Sequence, residues 1–110
     1  MILCASLIGA PILAAEPAQK VYAGQEAAAL RCANTIALTA VALSEEAGLP
    51  DLEKDAMLGI SVRILDLHVS GSWQQKKAAL KVVRDRRDAF ETLQDYQRYA
   101  QQCLRQFPIN

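Results

Sequence analysis

Glycine and proline are scarce, five and four in 110 residues, and aromatics are few, with one Trp, three Tyr and two Phe. Strands draw on aromatic and β-branched residues and need turn residues at short intervals, so this shortage argues against a sheet protein. Charge of one sign is also missing. Twelve Lys and Arg balance twelve Asp and Glu, which excludes a strongly basic nucleic-acid binder and a polyacidic tail. The chain has a single histidine, His68, and therefore no second imidazole for a zinc or haem site. A glycine-rich phosphate loop, a nucleophile elbow and an H-E-x-x-H helix are absent from the sequence as well. The carboxylates fall at Glu45-Glu46, at Asp51, Glu53 and Asp55, and at Glu91 with Asp95, places that suit helix dipoles and surfaces rather than an acid/base pair. No cofactor is expected, and the chain reads as a non-enzyme.

What is present is apolar. Hydrophobic residues make up 52% of the chain and charged residues 22%, the composition of one folded globule, and the length allows one core. Ala, Leu, Gln, Glu, Lys and Arg fill the long segments, all of them good helix formers. The fold is expected to be all-α.

The first fifteen residues, MILCASLIGAPILAA, carry no charge and are followed by the polar run Glu16-Pro17-Ala18-Gln19-Lys20. This stretch is too short to span a bilayer and ends in the small pair Ala14-Ala15, which reads as a secretory signal peptide over 1–15 with a single helical domain over 16–110. Two features depart from the usual signal. No Lys or Arg precedes the apolar run, and Leu13 stands where a small residue is favoured. The competing reading is an N-terminal core segment of a cytosolic protein. Cys4 makes no lipoprotein site, because Leu3 before it is bulky and almost no apolar run precedes it. Removal of the leader leaves two cysteines, Cys32 and Cys103, and two thiols in an exported chain predict a disulfide. The expected location is the periplasm.

Helical periodicity divides the remainder. Helix one is expected over about Ala23 to Ala47, with Leu30, Cys32, Ala33, Ile36, Ala37, Ala40, Val41, Leu43 and Ala47 on one face and Arg31, Thr35, Thr39 and Glu46 on the other. Gly48 and Pro50 punctuate its end. Helix two is expected from Pro50 or Asp51 to about Val69, with a broad apolar surface broken only by Asp55, Arg63 and Asp66. Such a helix is central, or is covered by a second chain. Ser72 with Gln75 forms a capping box for helix three, which starts at Trp73 and has a poorer face, interrupted by Lys76, Arg86 and Arg87. The last helix, about Ala89 to Gln106, sets Phe90, Leu93, Tyr96, Tyr99, Ala100, Cys103, Leu104 and Phe107 against a polar side.

No Gly or Pro separates helices three and four, and the cysteines decide the matter. In an up-and-down bundle of four, the early part of the first helix lies beside the late part of the last, so Cys32 and Cys103 meet. With three helices their Cα atoms could not come within the roughly 7 Å that a disulfide needs. A bend at Arg86 to Ala89 follows, and the expected fold is a small up-and-down four-helix bundle with one disulfide joining its first and last helices.

Two features could carry function. Met57, Ile60, Ile64, Leu67 and His68 form the broad face of helix two, and a core histidine bonded to a carbonyl or hydroxyl is the plain alternative for His68. In the basic run, Lys77, Lys81 and Arg84 line one side of helix three. They could receive an acidic protein, an anionic lipid or a wall polymer, or stand as a solvated face with local pairs Lys81–Asp85 and Arg84–Asp88. Glu16 to Asp66 holds 4 basic and 8 acidic residues, and Leu67 to Asn110 holds 8 and 4. Such halves attract a charged partner or neutralise one another. The expected function is an exported protein-interaction module, as a homodimer or gripping another exported protein. The alternatives are an inhibitor or immunity protein against a secreted or wall-degrading enzyme, and a periplasmic chaperone or small-ligand carrier. Neither nucleic acid nor stable membrane insertion of the processed chain is expected.

Overall fold

Four helices account for most of the 92 residues, 19–110, that the computed structural model describes. The segment read as a leader lies outside the described residues. The helices are α1 (Gly24–Ala47), α2 (Asp51–His68), α3 (Trp73–Asp85) and α4 (Ala89–Gln106). Their ends follow from local chemistry. Gly48 takes the left-handed conformation, φ 71°, and the N–H groups of Gly48 and Leu49 both reach back to the Leu43 carbonyl, which closes α1. Pro50 then sets the entry to α2, whose first turn holds Asp51 and Glu53 at the positive end of its dipole. Ser72 and Gln75 exchange the capping-box bonds that open α3. Asp88 and Glu91 exchange the same pair for α4, so the chain bends at Arg86 to Asp88 without Gly or Pro.

The topology is up and down. The Ser61 hydroxyl donates to the Ala33 carbonyl at 2.8 Å, and the Tyr22 hydroxyl to the Ser70 carbonyl at 2.6 Å, so α2 returns antiparallel to α1. Cys32 and Cys103 are disulfide-bonded with Cα atoms 5.6 Å apart, and Gln106 Nε2 donates to Gln25 Oε1 one to two turns further on. Thus α4 runs antiparallel to α1, and the bundle has the disulfide between its first and last helices.

The helix α1 is the hub. The other three each pack against it and make few contacts with one another. Ala29, Ala33 and Ala40 are fully buried, and their small side chains let neighbouring backbones approach. Leu30 and Ile36 of α1, Ile64 and Leu65 of α2, Val69 after it and Phe107 after α4 complete the core. By length and composition α1 would also suit a membrane span, with 44% of its most apolar window buried inside this fold.

Three neighbours around one helix change the expected pattern. Thr39, assigned to the polar side of α1, is buried, and its hydroxyl has no hydrogen-bond partner among the described residues. Asn34 is buried too, although its neighbours Thr35, Ala37 and Leu38 are only part-buried. On α4 the correction runs the other way. Phe90 and Tyr99, expected in the core, are largely exposed, because among the described residues α4 packs mainly on α1 and one such neighbour covers a narrow strip. Lys76, read as an interruption of the α3 face, is only 8% exposed; its aliphatic stem is covered and its charge acts on Glu26.

Candidate functional site

Since α2 and α3 lie on α1 without closing on each other, an open groove of about 660 Å³ is left between them. The volume falls in the range of 300–1,000 Å³ typical of binding clefts. Part-buried apolar side chains form its floor and far wall: Ala37, Leu38 and Val41 from α1, Leu58 from α2 and Leu80 from α3. The near wall is one face of α3, with Gln74, Lys77, Ala78, Lys81 and Arg84 exposed along it at helical spacing. No carboxylate lines the groove among the described residues.

The three cations expected to share a side of helix three therefore border an apolar cleft. The local pairs that would have made them a plain solvated face do not form. Arg84 pairs with its neighbour Asp85 at 3.4 Å, not with Asp88, and Lys77 and Lys81 have no ion pair among the described residues. The acidic and basic halves of the chain do not neutralise one another through ion pairs either. All three ion pairs among the described residues lie within Arg84 to Asp95, including Arg87–Asp95 at 2.8 Å. Asp51, Glu53, Asp55 and Asp66 on α2 are exposed and unpaired among the described residues.

Asn34 also lines the groove, 4% exposed, and its side chain makes no hydrogen bond to a described residue. Its position gives an occupant one polar contact on an otherwise apolar floor. No pattern in the sequence marked it, because Asn34 stands among alanines and its burial depends on helices that come later in the chain.

The apolar residues of α2 are divided. Ile64 is fully buried in the core, and Met57 and Ile60 pack part-buried against it. Leu67 and Val62 are about half exposed, and Leu52 at the start of the helix is 83% exposed. His68 ends the helix and holds the C-terminal segment. Its Nε2 lies 2.7 Å from the Pro108 carbonyl, and its ring meets Phe107 edge-on at 5.4 Å. A carbonyl only accepts, so Nε2 carries the proton and donates. Arg63 donates to the Ile109 carbonyl at 3.3 Å beside it. This pair of bonds anchors the tail on α2, and no group of three or more His, Cys, Asp or Glu converges among the described residues.

At the same end of α2, just beyond His68, a second polar knot holds the loop to α3. Glu26 accepts from the Ser70 backbone N–H at 2.6 Å, and hydrogen bonding from Ser70 holds its carboxyl below the usual range, with the Lys20 and Lys76 charges adding to the effect. Tyr22, which donates to the Ser70 carbonyl, is pushed up by burial and by the nearby Glu26 charge. Gly71 in this loop has φ 98°, and a Cβ there would stand 2.8 Å from the Tyr22 hydroxyl, so the turn requires glycine. These contacts set where α3 starts and thereby the width of the groove.

A smaller cleft of about 420 Å³ lies beside the disulfide, but its Arg87 already faces Asp95. Comparison of the chain with protein-family models, with curated proteins and with solved structures finds no match.

Proposed function

We propose that this chain is a small, non-enzymatic, exported interaction module that holds a protein partner in the groove between α1, α2 and α3. The observation that carries the proposal is the groove's construction: five apolar side chains are left part-buried beside two lysines that have no ion pair among the described residues. An apolar trough with a charged rim is how helical and extended segments of partners are commonly gripped. The disulfide supports export, because such a bond persists in oxidising compartments. Cleavage after Ala15, a periplasmic destination and no lasting membrane insertion belong to the same proposal.

A photoreactive residue in place of Leu38, on the groove floor, tests it. Irradiation of the exported fraction of the producing cell should yield a covalent adduct with a protein chain, whereas the same residue at Arg98, on the outer side of α4, should not. Absence of any protein adduct from Leu38 would overturn the reading. Mass analysis of the same material should show a chain beginning at Glu16, and retention of the first fifteen residues would remove the exported part of the proposal.

A further inference from the structure

On this reading of the groove as a protein-binding site, we propose that its occupant is α2 of a second copy of this chain, in a two-fold dimer in which each copy fills the other's groove. The chain carries two unsatisfied surfaces of opposite character. One is the groove, cationic along its α3 rim and, among the described residues, free of carboxylates. The other is the outer side of α2, where Asp51, Leu52, Asp55, Gly59 and Val62 fall within about 100° of arc at helical spacing.

All five of these α2 residues are exposed, Leu52 most of all, and neither aspartate has an ion pair among the described residues. A helix laid in the groove with Leu52 on the apolar floor would turn Asp51 and Asp55, roughly 60–100° around the helix from it, toward the lysines, with Val62 between them. The spacing agrees: Asp51 and Asp55 repeat at four residues, as Lys77 and Lys81 do, so both pairs are about 6 Å apart along their helices. Charges repeated along the rim suit an occupant with charges at the same repeat, and a ligand with a single head group would leave some of them unmet.

Symmetry closes the assembly. Leu58 forms the groove's α2 wall and lies one helical step from Val62, so the outer side of α2 adjoins its own chain's groove. Two copies related by a two-fold axis can then exchange α2 contacts reciprocally, each contact occurring twice, with no open end to propagate. Gly59, which has no heavy atom within 4 Å of a Cβ position, leaves room for close approach of the second helix.

Sedimentation of the oxidised, processed chain over a micromolar to submillimolar series tests this. The wild-type protein should move from one chain mass to two, and the association should weaken with added salt, because the rim charges are exposed and screened. K77E/K81E and D51K/D55K should each associate about tenfold or more weakly by themselves, and a mixture of the two should recover association through the swapped charges. All four positions are exposed, and unchanged circular dichroism verifies that the variants fold. A wild-type chain that stays monomeric, a K77E/K81E variant that associates normally, or a mixture that fails to recover would each overturn the inference. If the chain is monomeric but the Leu38 adduct forms with a different protein, the interaction reading stands and only this choice of partner falls.

Discussion

Thr39 is the residue at which the core is least satisfied. Its hydroxyl is buried without a hydrogen-bond partner among the described residues, and an unmet buried polar group costs about 1–3 kcal/mol. Thr39→Val keeps the branched shape and removes the hydroxyl, and it should stabilise the protein by about 1 kcal/mol, which thermal unfolding would register as a rise of about 4–8 °C. Glu26 shows the opposite situation, a carboxylate whose charged form is favoured by hydrogen bonds from Ser70. Its folded-state pKa is depressed, so its contribution is present above the ordinary glutamate range and is lost as pH falls through the folded value. Acid titration of stability should therefore show a steeper loss in wild type than in Glu26→Gln, where the group carries no proton to gain; identical acid limbs would contradict the assignment.

At the scale of elements, the connection between α3 and α4 rests on one capping box. Asp88 accepts from the Glu91 N–H at 2.8 Å, and its own N–H is met by the Glu91 side chain at 3.2 Å. Asp88→Ala should cost about 1 kcal/mol, visible as a lower denaturant midpoint with an unchanged slope. Helix existence and order were legible from periodicity, Gly48 and the Ser72–Gln75 box. The Asp88–Glu91 box was equally available as Asp-x-x-Glu, but an uninterrupted run of helix formers concealed it. Burial along each helix was less legible. A hydrophobic face says which side can be buried, whereas Phe90 and Tyr99 show that one neighbour covers only part of it, and Thr39 shows that three neighbours cover more than it.

In the whole molecule, α4 meets the other helices almost entirely through α1, where packing and the disulfide both hold it. Closing a loop with a sequence separation of 71 is worth about 4 kcal/mol in the chain-entropy model. The Cys32→Ala/Cys103→Ala variant should lose about that much stability in denaturant titration, and hydrogen exchange should quicken first along α4. Equal protection of all four helices in that variant would show that α4 is held by packing alone. The groove is likewise a property of the whole arrangement, since it forms where α2 and α3 flank α1 with few or no contacts between them.

The sequence by itself determined the helices, their antiparallel order and the pairing of Cys32 with Cys103, because periodicity and capping are local and a disulfide's short reach admits few topologies. Only the tertiary structure decided that Lys77 and Lys81, without an ion pair among the described residues, stand beside an apolar groove, that Asn34 lines it, and that His68 holds the tail. Those outcomes depend on the distances between helices far apart in the chain, and spacing along one helix carries no information about which neighbour will lie beside it or how far away.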